Sequence, residues 1–327
     1  MKHFVFGYGS LICPQSRAIT APTLQDAIAE PVVIDKIERT WSARVTKKQA
    51  RSNAGEDSRG PSSASNGRDH IRGWTPMGVR FRHGAKCNGV LIHVDEKELM
   101  RFDVREGGYV RQMIELADIH GHVDSDKLID ESMPLWPTSS MEVVDDDVSS
   151  FREKLALEDV KCSECRRVFQ KASEMRRQSS STSSECDSSQ GSDDIAVWVY
   201  VQSENFPAER SFPITQSYLD IIMRGCLSIS HDFARRFLET THGWWHDGLL
   251  DEKDHETGTE QILEDEQKTD IGKNERRSIE NHHTWVNDRH APMYVRADSE
   301  YSLENGEEID ELIKEHHPHA FQRRVVS

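Results

Sequence analysis

The most informative stretch of the chain reads Phe4-Val5-Phe6-Gly7-Tyr8-Gly9-Ser10. Its first three residues form a short apolar run of the kind that builds a buried strand. Gly7 and Gly9 flank Tyr8 where that run ends, and glycine permits positive φ or the close approach of another atom to the backbone. A strand that ends in Gly-x-Gly-Ser predicts a row of backbone N–H donors able to hold an anion or oxyanion. An ordinary tight turn is the alternative interpretation of the same residues.

A second stretch, further along, reads Phe102-Asp103-Val104-Arg105-Glu106-Gly107-Gly108-Tyr109. The pattern predicts a helix from Asp95 to Arg105, with Asp95 as its N-cap and the two glycines as its stop. A strand is predicted from Tyr109 to about Ala117. Glu106 therefore lies at a helix-to-strand junction, where side chains often project into a cleft. A surface glutamate at a helix end is the alternative.

The two stretches, in this order, resemble the γ-glutamylcyclotransferase superfamily, including its ChaC-like and plant-type branches. Members of that superfamily open with a Tyr-Gly-Ser strand turn and carry a later Asp-x-x-Glu-Gly segment with the catalytic glutamate. The resemblance implies that Glu106 is the catalytic acid and base. It also implies a set of substrate-binding residues: Tyr8, Gly9, Ser10, Leu11 and Tyr109.

Further stretches extend the resemblance over most of the chain outside its polar inserts. They are Arg39-Thr-Trp-Ser-Ala-Arg44, the two-helix region from Tyr218 to His246, Trp285-x-x-Asp288-Arg289 and Pro292-Met-Tyr-Val-Arg296.

The chemistry implied by the resemblance is the internal cleavage of a γ-glutamyl amide. The α-amine of the substrate attacks its own γ-carbonyl, the amide nitrogen leaves, and 5-oxoproline forms. The nucleophile belongs to the substrate, so no metal or cofactor is expected. The enzyme needs a base, because the α-amine is mostly protonated at neutral pH. A partly desolvated carboxylate at Glu106 suits that role.

Composition limits the classes of partner. The chain has 327 residues, a net charge of −16 and a hydrophobic share of 35%. This acidic balance argues against nucleic acid or an anionic membrane as partner. No apolar run approaches the roughly 18 residues of a membrane helix. The start of the chain lacks a secretory signal pattern, and the six cysteines follow no disulfide framework, so a cytoplasmic protein is expected.

We predict one α+β domain over residues 1–327, a small barrel-like sheet with flanking helices. Strands are expected near residues 3–8, 31–45, 76–94, 109–117 and 195–201, with a hairpin turn around His83–Lys86. A buried helix over 218–224 is expected to end at Gly225. Polar composition predicts disordered inserts at 48–73, 161–194 and 251–283.

Other functions stay open at this point. A non-catalytic protein could keep the same pocket for a small acidic metabolite and recruit partners through its inserts. Cys162 and Cys165 form half of a zinc site or a redox pair, although an incidental pair is favoured because no second such pair exists. The preferred hypothesis is an enzyme that acts on glutathione or another small γ-glutamyl compound.

Overall fold

The computed structural model describes residues 1–47, 71–123, 160–180, 195–244, 284–297 and 305–326. Among these residues, none of the helices combines the length and the apolar character needed to cross a membrane.

The described residues form twelve strands: β1 (Lys2–Gly7), β2 (Ala29–Trp41), β3 (Val45–Thr46), β4 (Gly73–Trp74), β5 (Met77–Val94), β6 (Tyr109–Ile114), β7 (Ile119–Gly121), β8 (Ile195–Gln202), β9 (Ile214–Thr215), β10 (Thr241–His242), β11 (Trp285–Asn287) and β12 (Val325–Val326). They also form seven α-helices: α1 (Pro14–Thr20), α2 (Glu96–Arg105), α3 (Ser163–Ser180), α4 (Gln216–Leu227), α5 (His231–Glu239), α6 (Gly306–His316) and α7 (Pro318–Gln322). Short 3-10 turns cover Ser10–Ile12, Pro22–Leu24 and Leu116–Asp118.

The main sheet is mixed and has seven strands. Its order is β10-β2-β5-β1-β8-β6. β10 pairs with Arg39 and Thr40 of β2, and β7 pairs with Val32–Ile34 of the same strand. β1 is antiparallel to β5 and parallel to β8, so it has a neighbour on both sides. Its residues Phe4, Val5 and Phe6 are completely buried, as their apolar run predicts. The α+β class and the mixed sheet predicted from the sequence are confirmed.

The predicted hairpin around His83–Lys86 is wrong. β5 runs from Met77 to Val94 as one strand, and both of its halves pair with β2 rather than with each other. The ladder shifts between Asp35 and Ile37 of β2, which face Lys86 and Phe81. Both halves of β5 pair with β2, so the chain does not reverse its direction at Gly84. The φ of Gly84 is 79°, and the distortion of the strand there is local.

The helix before Glu106 forms as predicted. Glu98 N–H donates to the Asp95 carboxylate at 2.7 Å, and Asp95 N–H donates to the Glu98 carboxylate at 2.8 Å. This reciprocal capping box fixes where α2 begins. Glu106 is the residue that caps its C-terminal end.

Helix α3 corrects one predicted insert. Residues 163–180 were expected to belong to a disordered insert over 161–194, but they form a helix that buries Cys165, Val168 and Phe169. Glu164 of this helix also accepts a hydrogen bond from Lys2 Nζ at 2.6 Å. The prediction of disorder is therefore wrong for 163–180. It is also wrong for 71–73, where Ile71 is buried. Residues 48–70, 181–194 and 251–283 lie outside the described residues, and the division into domain and inserts stays a prediction.

A buried ionic cluster attaches the C-terminal region to α4. Arg289 Nε donates to Asp220 at 2.7 Å, and Arg289 Nη2 donates to Asp310 at 2.8 Å. Asp288 accepts from both the N–H and the hydroxyl of Ser217, at 2.8 and 2.7 Å. These bonds fix the first turn of α4, because a carboxylate near a helix N-terminus satisfies its free N–H groups.

Gly225 does not end α4, which continues to Leu227. The residue is required instead for packing, since a Cβ at this position would lie 2.6 Å from the backbone nitrogen of Cys13 and 2.8 Å from its Cα. α4 can therefore lie directly against the turn that follows β1 only because residue 225 has no side chain.

We expect Gly225→Ala to lower the free energy of unfolding by about 1–3 kcal/mol, because backbone atoms cannot move away from the added methyl group. Gly108→Ala is the matched control, since a Cβ at Gly108 meets nothing within 4 Å. Urea unfolding of both variants measures the difference. Equal stabilities would contradict the packing argument.

Arg39 is a completely buried cation on β2. Its guanidinium donates to Asn88 O at 2.6 Å and Asn88 Oδ1 at 2.9 Å, on β5. It also donates to Phe237 O, Thr240 Oγ1 and Thr241 Oγ1, each at 2.8 Å. Burial lowers its pKa. One side chain therefore joins β2, β5 and the end of α5.

We expect Arg39→Lys to cost about 3 kcal/mol of unfolding free energy, because an ammonium cannot reproduce the planar set of donors and leaves buried acceptors unpaired. Arg101→Lys, at an exposed position of α2, is the control and should change stability by less than about 0.5 kcal/mol. Thermal and urea unfolding would measure both. A stability change in Arg39→Lys as small as the control's would refute this role.

Candidate active site

One pocket contains every site residue predicted from the sequence. Its volume is about 30 Å³. The predicted residues among its lining are Tyr8, Gly9, Ser10, Leu11, Glu106 and Tyr109. The remaining lining residues were not predicted as site residues: Phe6, Met77, Tyr200 and Tyr218. We call this space the Glu106 pocket.

The glycines of the turn after β1 are needed for close packing and not for positive φ. A Cβ on Gly7 would lie 2.8 Å from the Cβ of Leu11, and one on Gly9 would lie 3.0 Å from the hydroxyl oxygen of Tyr218. Neither glycine has a positive φ. The turn therefore exposes its backbone to the pocket while α4 approaches it closely.

Glu106 enters the pocket from the C-terminal end of α2. Its side chain is 18% exposed, and its Oε1 lies 2.9 Å from Arg105 Nε. This places the carboxylate at a partly covered position that a small molecule can still reach.

Arg105 connects this carboxylate to the turn after β1. Its side chain is only 3% exposed. Nη2 donates to the hydroxyl oxygens of Ser10 at 2.9 Å and Ser16 at 3.1 Å, and Nη1 donates to Ser16 O at 2.8 Å. The sequence analysis did not identify Arg105, although it directly precedes Glu106. The guanidinium fixes the position of the carboxylate relative to Ser10.

Two predicted tyrosines form opposite parts of the wall. The Tyr8 hydroxyl donates to Tyr200 O at 2.6 Å, and the Tyr109 hydroxyl donates to Met77 O at 2.9 Å. Burial, reinforced by neighbouring tyrosine and glutamate charge, raises the pKa of Tyr8 and the pKa of Tyr109. Both phenols are therefore neutral hydrogen-bond donors at neutral pH. The role of Tyr109 in substrate binding stays a prediction.

Two further tyrosines come from distant parts of the chain. Tyr200 lies on β8, and its hydroxyl donates to Asp103 at 2.8 Å. Asp103 also accepts a hydrogen bond from Arg111 Nη1 at 2.8 Å. Tyr218 lies in the first turn of α4, with its ring 4.8 Å from that of Tyr294. Asp103 belongs to the Asp-x-x-Glu segment found in the sequence, but its hydrogen bond with Tyr200 could not be predicted from that segment.

Arg296 adds positive charge near the pocket. Burial by itself would lower its pKa, but the Tyr294 hydroxyl and the Glu106 carboxylate have the opposite effect, and the net shift of the pKa is upward. Its Nη1 donates to the Tyr294 hydroxyl at 3.4 Å. Arg296 is not among the residues that line the pocket, and a cation of this kind can pair with a carboxylate.

Within the part of the chain that the structure describes, no group of three or more His, Cys, Asp or Glu side chains is arranged to hold a metal ion. Cys162 and Cys165 lie together at the start of α3, where Cys165 N–H donates to Cys162 Sγ at 3.5 Å. Cys186 lies outside the described residues.

The comparisons with known proteins identify similar folds. No protein-family model matches the sequence, and no curated protein matches it. Two solved structures match with 11% identity and a TM-score of 0.35, over 72% of this chain and 86% of theirs. One is an uncharacterised protein from Homo sapiens, and the other is described as gamma-glutamyl cyclotransferase. A solution structure from Arabidopsis thaliana matches with 18% identity and a TM-score of 0.24, over 59% of this chain and 96% of that one.

The fold of this chain is thus similar to that of a γ-glutamyl cyclotransferase at low identity. The family resemblance inferred from the two motifs names the same kind of protein as one of these matches. At TM-scores of 0.35 and below, the likeness carries no conclusion about activity.

Because of its buried tyrosines, we expect the protein to lose stability at alkaline pH. Desolvation raises the pKa of Tyr218 above its ordinary value of 10.0, so the fold favours the neutral phenol. The stabilising contribution is complete below about pH 10 and falls as pH rises above it, with a slope of up to about 1.4 kcal/mol per pH unit for each such tyrosine. Urea unfolding between pH 8 and 11, in wild type and Tyr218→Phe, measures this slope. The variant should show the shallower decline, and identical slopes would contradict the assignment.

Proposed function

We propose that this chain is a γ-glutamylcyclotransferase that converts a small γ-glutamyl compound to 5-oxoproline and releases the amine or peptide. The observation that carries the proposal is that Glu106 and the turn residues Gly9, Ser10 and Leu11 line the same pocket. A base and a set of backbone donors are the two elements that this reaction needs.

The reaction is an internal acyl transfer. The α-amine nitrogen attacks the γ-carbonyl carbon and a new C–N bond closes the five-membered ring. Glu106 takes a proton from the α-ammonium group, which frees the nitrogen lone pair for attack, and the ring nitrogen then loses a second proton. The tetrahedral intermediate expels the amide nitrogen, which receives both protons by way of Glu106 as its C–N bond breaks and leaves as an ammonium group. No electrons are gained or lost, and no metal or cofactor is required because the nucleophile is part of the substrate.

The other residues of the pocket position the substrate. Backbone N–H groups of the turn between Tyr8 and Leu11 stabilise the developing oxyanion. Arg105 acts as a positioning residue, since it contacts both Glu106 and Ser10. Arg296 is a partner for the α-carboxylate of the substrate. Both reacting groups belong to one molecule, so orientation contributes a large share of the rate.

We expect Glu106→Gln to lower the rate of 5-oxoproline release by roughly 10²–10⁴-fold, because the amide cannot accept the proton. Glu115→Gln is the control, since the Glu115 side chain is 78% exposed and does not line the pocket. Mass spectrometry of product from glutathione, γ-glutamyl-alanine and γ-glutamyl-lysine measures the rates and identifies the leaving group. Full activity in Glu106→Gln would refute the mechanism.

No product from any of the three substrates would contradict the proposed function. The alternative of a non-catalytic protein that keeps the pocket for a small acidic metabolite would then account for the same residues.

A further inference from the structure

A second, larger cavity lies behind the turn after β1. It has a volume of about 410 Å³ and is enclosed by α1, the segment 27–31, and the connection between α4 and α5. No residue lines both this cavity and the Glu106 pocket. We call it the Arg17 cavity, because the Arg17 side chain forms part of its wall.

Arg17 is a buried cation without a carboxylate partner among the described residues. The residue is 2% exposed. Its Nη1 donates to Leu11 O and Ile12 O at 3.0 Å each, while its Nε has no hydrogen-bond partner. Two carbonyl oxygens thus satisfy Nη1, whereas Nε is a buried donor without a hydrogen-bond partner.

An unpaired buried charge is energetically costly. Burial lowers the pKa of Arg17 to about 10, so the guanidinium still carries its charge at neutral pH. An anion in the cavity would offset the cost, and a guanidinium edge matches the two oxygens of a carboxylate.

The remaining walls favour an organic anion. The other titratable side chains of the wall are Glu30, His122 and Lys161. Glu30 already accepts the backbone N–H groups of Lys161 and Cys162 at 2.7 and 2.5 Å, and His122 Nε2 lies 3.6 Å from the Asp232 carboxylate. Arg17 and Lys161 are thus the two permanent cations of the wall, against the one carboxylate of Glu30. Several apolar residues complete the wall: Pro14, Ile28, Pro31, Val90 and Ile229.

We propose that the Arg17 cavity is a binding site for a small organic carboxylate with an apolar body, whose carboxylate pairs with Arg17. The site is separate from the Glu106 pocket and does not depend on the proposed function. The ligand would pair with Arg17. The same side chain donates to the Leu11 and Ile12 carbonyls and so holds the turn after β1.

The test is calorimetric titration of the purified chain at pH 7 with 4-phenylbutyrate and, as a neutral match, 4-phenylbutanamide. We expect the carboxylate to bind at least about 10-fold more tightly than the amide, because only the carboxylate pairs with the guanidinium. Equal affinities for the two probes would overturn the proposal. So would the absence of binding heat from either probe up to about 10 mM, a range that covers weak binding.

Variants at Ile28 locate the binding without touching Arg17. Ile28 is 48% exposed, so substitutions there are expected to fold. Ile28→Glu should weaken 4-phenylbutyrate binding by about 10-fold through like-charge repulsion. Ile28→Gln, whose side chain has the shape of glutamate without its charge, should change the affinity by less than about 3-fold. Equal affinities in the two variants would place the ligand elsewhere and overturn the proposal. Because turnover is not measured, failure here leaves the proposed cyclotransferase activity untouched.

Discussion

The fold depends on one buried cation, Arg39, that has no anion beside it among the residues the structure describes. Arg39 is surrounded by carbonyl and hydroxyl oxygens from β5, from the end of α5, and from Tyr8, whose carbonyl lies 3.4 Å from Nη1. The guanidinium also lies 3.7 Å over the ring of Phe237. The C-terminal end of a helix carries partial negative charge, so α5 helps to balance Arg39. Each of these elements must be in place for the charge to be tolerated, which makes their assembly cooperative.

Buried cations also fix the turn after β1. Arg17 holds the Leu11 and Ile12 carbonyls from one side, and Arg105 holds the Ser10 hydroxyl from the other. Arg105 also pairs with Glu106. The turn is therefore fixed by two cations, and the same side chains set the distance between the candidate base and the backbone donors. A rigid relation of this kind is what positioning catalysis needs.

Local signals made much of this site predictable. The apolar run of β1, the Asp95 cap of α2 and the Glu106 junction each depend on a few neighbouring residues, and these features form as expected. The walls contributed by Tyr200 and Tyr218 were not predictable, because they are brought to the pocket by strand pairing and helix packing over long separations. The hairpin prediction failed for the same reason, since the partner of both halves of β5 is β2. Helix α3 was hidden by its many charged and serine residues, which surround a narrow apolar stripe that includes Val168.

The central place of β1 has a consequence for how the chain folds. Its His3 side chain meets Trp198, 195 residues later in the chain, where the Trp198 indole donates to His3 Nδ1 at 3.1 Å. At synthesis rates of about 5–20 residues per second, roughly 10–40 s pass before β8 leaves the ribosome. Until then the second edge of β1 lacks its native partner, and such an edge is prone to pair with other chains. The strand that begins the pocket is thus completed late, which favours slow folding and assistance by a chaperone.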